Sequence, residues 1–180
     1  MGKSTETCIL FGDGAGAVLL ERAQDGQSSF FLAGDFGSDG EGGALVHRAG
    51  LAASLNGVDF RPDGRFYQNG QAVYRWAVQT VPEGMKRLFE ASGLSPETVD
   101  WFVPHSANLR MIESICERSG FPLERTLLSV VYYGNTSAAS VPLALDLGVR
   151  DGRVKEGDRL LLYGFGGGLV YADAVITWPM

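Results

Sequence analysis

Apolar and polar residues change rhythm several times along the chain. TCILF (7–11) and AVLLE (17–21) are short apolar runs on either side of GDGAG (12–16), a pattern that predicts a β-hairpin. SFFLAGDFG (29–37) predicts a third strand, and residues 38–68, rich in Gly, Asp and Asn without a sustained period, predict a long functional loop region. From Gln71 to about Glu90 the period becomes helical, with Val73, Ala77, Val81, Met85, Leu88 and Phe89 on one face and Pro82 as a point of kinking. Ser95-Pro96-Glu97-Thr98 reads as a turn or helix start before VDWFVP (99–104), a strand of buried type. Asn108 to Ser119 is helical, RTLLSVV (125–131) strand-like, and Ser137 to Val149 helical again. RLLLYGF (159–165) and LVYADAVITW (169–178) form two last strands around GFGGG.

The resulting order, βββαβαβαββ, implies a layered α/β sheet, whose functional residues gather at the carboxyl ends of strands. No interior linker interrupts it, so residues 1–180 are read as one domain. A net charge of −6 argues against nucleic acid as a partner, and no apolar run approaches the roughly 20 residues of a membrane helix. With no secretory signal pattern and only two cysteines, Cys8 and Cys116, the setting expected is cytoplasmic and reducing. Cys8, Cys116, His47 and His105 have no metal-ligand spacing, so no metal is expected.

Three stretches fall at predicted strand ends: VPHSANLRM (103–111), YGNTSAAS (133–140) and GFGGG (164–168). Each has an ordinary reading. His105 suits a structural strand-end histidine, Asn135 a cap or turn residue, and GFGGG a hairpin turn. The small residues around His105 and Asn135 leave room for a ligand, and three consecutive glycines exceed what a hairpin needs. Free backbone N–H groups at GFGGG would make an oxyanion hole. GDGAG lacks the spacing of a dinucleotide fingerprint, and a strand rather than a helix follows it. Cys8 and Cys116 lie among apolar neighbours without an activating base and read as packing residues.

Taken together, LFGDGAGAVLLE, VPHSANLRM, YGNTSAASVPLAL and LLLYGFGGGLVYADAVI resemble the carboxyl-terminal half of β-ketoacyl-acyl-carrier-protein synthase III, the condensing enzyme that starts type II fatty-acid synthesis. The resemblance runs from about Thr7 to Trp178 and implies a thiolase-like fold, here one layered α/β half of a pair. It implies that His105 and Asn135 are two members of a Cys-His-Asn triad, donating hydrogen bonds to the thioester carbonyl of malonyl-carrier protein during decarboxylation. It implies Gly167 as the oxyanion donor and Phe165 as an aromatic lining the site. Gly70, Tyr74, Ser106, Ala107 and Asn108 would lie against substrate, and Arg110 would favour the acidic carrier protein. A glutamine is commoner in the family where Ser106 stands. Acyl-CoA and acyl-carrier protein would be substrates, with no further cofactor. The nucleophilic cysteine of the family lies in its amino-terminal half, which finds no match here. The chain is therefore expected to be half of an acyltransferase, inactive alone, partnered by an amino-terminal half and prone to homo-oligomerisation. The alternatives are a non-catalytic self-associating domain, or half of a related polyketide or alkylquinolone condensing enzyme.

Overall fold

A computed structural model describes residues 9–25, 29–48, 53–60 and 64–179. Its centre is a five-stranded sheet. β7 (Trp101–Pro104) runs parallel to β8 (Arg159–Gly166), which pairs antiparallel with β9 (Val170–Thr177). Two short strands, β1 (Phe31–Ala33) and β2 (Phe36–Ser38), pair in succession with β9 on its far side. Alternation along the strands sorts side chains onto two faces. Phe102, Leu161, Tyr163, Phe165 and Val175 join one core, while Val103 and Leu160 join a second, with Trp101, Leu162 and Ile176 packed against it.

The first core is covered by two helices, α1 (Gly70–Ser92) and α2 (Leu109–Ser119). α1 buries Val73, Ala77, Val78, Val81, Gly84, Met85 and Leu88, the face anticipated from its spacing, and runs on through Pro82 as one helix. Asn69 caps its start by accepting from the Ala72 N–H, and Gly93 ends it in the left-handed conformation. α2 buries Met111, Ile112, Ile115 and Cys116, a Met or Ile side chain contributing about 1.5–3 kcal/mol when fully withdrawn from water. The second face is covered by α4 (Ser140–Arg150), through Ala144 and Leu145. α3 (Val130–Tyr133) is a single turn between them.

Three sequence expectations change. Residues 125–131 do not form a strand: Thr126 bridges Phe102 and the Leu127 N–H donates to the Phe102 carbonyl, but the chain then turns at Ser129. The Ser129 N–H is taken by the Ser106 hydroxyl, so it is lost to a ladder. The segment 11–21 is not a hairpin. Phe11 bridges Asn135 instead, and Val18, Leu19 and Leu20 lie exposed with no strand beside them among the described residues; residues 7 and 8 of the anticipated first strand lie outside those. Residues 38–68 hold a 3-10 helix (Gly40–Leu45), a ribbon of β3 (Val46–Arg48) with β6 (Phe66–Gln68), and a smaller ribbon of β4 (Ser54–Leu55) with β5 (Val58–Asp59). Among the described residues no helix is long and apolar enough to cross a membrane.

Candidate active site

The carboxyl ends of β7 and β8 open into a cavity of about 1030 Å³ lined by His105, Ala107, Asn108, Asn135, Phe165 and Gly167. β7 delivers His105: its N–H donates to the Tyr163 carbonyl, continuing the β7–β8 ladder by one residue. The ring stands edge-on to Phe165, with centroids 5.2 Å apart. Its Nδ1 lies 2.7 Å from the Ser140 Oγ, which leaves Nε2 as the other polar atom of the ring. Burial pushes His105 down to about 4, with a backbone hydrogen bond to Ser137 acting the other way, so the ring is neutral at pH 7.

Asn135 is held by backbone bonds on both sides. Its N–H donates to the Leu10 carbonyl and its own carbonyl accepts from the Gly12 N–H. The side-chain Oδ1 accepts from the Ser137 N–H at 2.9 Å, so the carboxamide is oriented with its NH2 free to donate. Gly134 makes this approach possible. Its φ of 66° and ψ of −160° belong to a region reserved for glycine, and a Cβ there would sit 3.0 Å from the Leu10 carbonyl oxygen. Gly12 is equally confined, since a Cβ would lie 1.8 Å from the Tyr133 carbonyl oxygen. The GDGAG stretch thus serves close approach to the Asn135 loop rather than a turn.

Gly167 follows β8 and faces β3, with Val46 Cγ1 3.3 Å from where a Cβ would be. The β3–β6 ribbon supplies the opposite wall through Val46, His47, Arg48, Phe66 and Gln68. Asn108 caps α2, its Oδ1 accepting from the Met111 N–H, and also lines the cavity. Arg110 stands exposed in the first turn of α2.

The remaining anticipated residues sit elsewhere. Ser106 turns away from the cavity into the interior, fully buried, with its hydroxyl on the Ser129 N–H. Tyr74 spans the helix pair, its hydroxyl 2.7 Å from the Ser114 Oγ, and Gly70 is the exposed first residue of α1. Val73, between them, is the α1 residue that lines the cavity. Sequence reasoning missed Ser129, Ser140 and Leu10. Ser140 was in view within YGNTSAAS, but only its small size was read from it.

Cys116 is buried in α2 beside the Thr126 hydroxyl, away from the cavity, and burial raises its thiol further. Cys8 lies outside the described residues. No described cysteine lines the cavity, and no group of His, Cys, Asp and Glu among the described residues could hold a metal ion.

Two family models match. Residues 89–178 fit the carboxyl-terminal model of 3-oxoacyl-[acyl-carrier-protein] synthase III, and residues 2–40 fit a second model of the same synthase. The chain is 55% identical over 174 residues to a β-ketoacyl-[acyl-carrier-protein] synthase III 2 of Halalkalibacterium halodurans, covering 97% of this chain and 52% of that protein. It is 54% identical to a protein of the same name from Bacillus subtilis, with 97% and 53% covered. A crystal structure of the synthase III of Thermus thermophilus superposes with a TM-score of 0.84 at 39% identity, over 97% of this chain and 54% of that one. The chain therefore spans about half the length of the relatives it matches. With its α/β, thiolase-like architecture and these matches, the chain belongs to the 3-oxoacyl-[acyl-carrier-protein] synthase III family.

Proposed function

We propose that this chain supplies the decarboxylation donors of a 3-oxoacyl-acyl-carrier-protein synthase reaction, joining malonyl-carrier protein to an acyl group from acyl-CoA. The observation that carries this reading is that a neutral His105 and an oriented Asn135 carboxamide line one cavity. Loss of CO2 from a malonyl thioester leaves its electrons on the thioester carbonyl, as an enolate. Two neutral donors aimed at that oxygen stabilise charge that exists only after the C–C bond begins to break. Removing one such donor costs about 3 kcal/mol of transition-state stabilisation in comparable sites. Gly167 would serve the acyl-thioester oxygen, Phe165, Ala107 and Asn108 the pantetheine arm, and Arg110 the acidic carrier protein. Gly70 and Tyr74 would act on the acyl group only through Val73 and the packing of α1.

Acyl transfer needs a thiolate, and no described cysteine lines the cavity. In this reading the nucleophile comes from polypeptide outside these 180 residues, an amino-terminal half packed on this one. Mass spectrometry after incubation with acyl-CoA and malonyl-carrier protein tests it. The chain alone should show neither acyl adduct nor ketoacyl product. Product should appear on adding the amino-terminal half of a close relative, and should be lost again with His105→Ala or Asn135→Ala. An adduct on Cys8 or Cys116 accompanied by product would overturn the reading.

A second reading, a self-associating domain, is favoured by one observation. Ile9, Val18, Leu19, Leu20, Phe36 and Tyr132 are apolar side chains left largely in solvent.

A further inference from the structure

Three serines that no substrate role requires are gathered behind His105. Ser106 follows it at the end of β7, Ser129 precedes α3, and Ser140 begins α4; all three are fully buried. The Ser129 N–H donates to the Ser106 Oγ at 3.1 Å, and the Ser129 Oγ donates to the Ser140 carbonyl at 3.0 Å. The Ser140 Oγ receives the Ser106 N–H at 3.1 Å and lies 2.7 Å from the His105 Nδ1. The cluster thereby ties together the three chain segments that carry the site.

We propose that Ser140 is a positioning residue whose hydroxyl donates to the His105 Nδ1 and so fixes the imidazole proton on Nε2. This rests on the reading of His105 as a donor and specifies how that donor is prepared. A serine hydroxyl has one hydrogen and two lone pairs. The Ser106 N–H occupies one lone pair, and the His105 Nδ1 is the remaining side-chain or backbone partner of Ser140 Oγ among the described residues. Were Nδ1 protonated and donating to the Ser140 Oγ, the buried hydroxyl hydrogen would have no acceptor among the described residues, the arrangement that hydrogen-bond accounting disfavours. With the hydroxyl donating, both the Ser140 hydrogen and the His105 Nδ1 lone pair are satisfied. The only N–H of the ring is then on Nε2, the nitrogen a thioester oxygen in the cavity would need.

His47 provides an internal standard of opposite kind. Its Nδ1 lies 2.9 Å from the Ala44 carbonyl, which can only accept, so its proton is on Nδ1. With only two histidines in the chain, long-range 1H–15N correlation spectra of the 15N-labelled protein at pH 7 report both tautomers, assigned by the loss of signals in His105→Asn. The expected result is an Nε2–H pattern for His105 and an Nδ1–H pattern for His47. An Nδ1–H pattern for His105 overturns the proposal without any variant at Ser140. In Ser140→Ala, with the His47 signals unchanged as a check on the fold, His105 should show averaged nitrogen shifts. Its titration midpoint should rise by about one pH unit, because a hydrogen bond to the neutral ring is lost. Ser140→Thr, which keeps the hydroxyl, should return both towards the parent values. An unchanged tautomer and midpoint in Ser140→Ala would show that Ser140 does not set them. None of these readings needs condensation to occur, so a failed activity test and a failed tautomer test are separate results.

Discussion

His105 and Asp173 are buried groups whose proton affinities move in opposite senses. Burial holds His105 down to about 4, whereas a histidine in an unfolded chain takes its proton near 6.5. Between those values the unfolded chain binds more protons, so the contribution of His105 to stability is full above about pH 6.5 and declines as the pH falls towards 4. Asp173 is raised to about 6, chiefly by burial, with the Asp35 N–H pulling it back. Its contribution is full below its ordinary 3.8 and is lost as the pH rises through 6. The two slopes oppose each other between pH 4 and 6. Denaturant titrations of Asp173→Asn should therefore reveal a rise in stability across that window that the parent protein lacks, and a parent-like profile would remove Asp173 from the account. Gly134→Ala is a separate case. It places a side chain in a glycine-only conformation against the Leu10 carbonyl, so a loss of about 2 kcal/mol in urea unfolding is expected. At this scale the sequence displayed the residues that line the cavity and concealed those that hold them. His105 and Asn135 stand in conspicuous local motifs. The Leu10 and Gly12 partners of Asn135 lie more than a hundred positions away, and nothing in the local pattern connects them.

Periodicity recovers the elements where burial is one-sided. The apolar stripes of α1 and α2 and the paired runs of β8 and β9 are all visible in the chain. It fails where an apolar run lacks a ladder partner among the described residues, as at residues 17–21, or where a serine diverts a backbone N–H, as at Ser129. The contact between α1 and β8 offers a test at this scale. Gly84 faces the Tyr163 hydroxyl so closely that a Cβ would lie 2.1 Å from it, and that hydroxyl is buried without a hydrogen-bond partner among the described residues. Gly84→Ala should cost more than about 2 kcal/mol by overpacking. Tyr163→Phe alone should be neutral or stabilising, since it deletes an unsatisfied polar atom. Combined, the two should be far less damaging than their sum, a coupling that a double-mutant cycle in thermal or urea unfolding measures directly. Strict additivity would mean that the helix shifts to avoid the clash.

Across the whole molecule, apolar side chains are distributed unevenly. The two cores are closed, while Leu19 and Leu20 are 84% and 88% exposed and Phe36 is 82% exposed. Such surface predicts association, seen as a sedimentation mass that rises with protein concentration, and bright fluorescence from an apolar dye. Leu19→Ser with Leu20→Ser should weaken both while shifting the unfolding midpoint little, because neither side chain is packed. A concentration-independent monomer that leaves the dye dark would show that this surface is not sticky.

The pairing of Phe11 with Asn135 has a consequence for how the chain is made. The two residues are separated by roughly 120 positions, and a ribosome adding about 5–20 residues per second needs on the order of ten seconds to deliver the second after the first. Through that interval the Phe11 segment has been made without its mate, carrying the same apolar residues that lie exposed in the finished fold. The geometry around Asn135 is thus assembled only after both segments have been made. A nascent chain stalled before Tyr133 would present Ile9 to Leu20 as a segment for chaperones to hold.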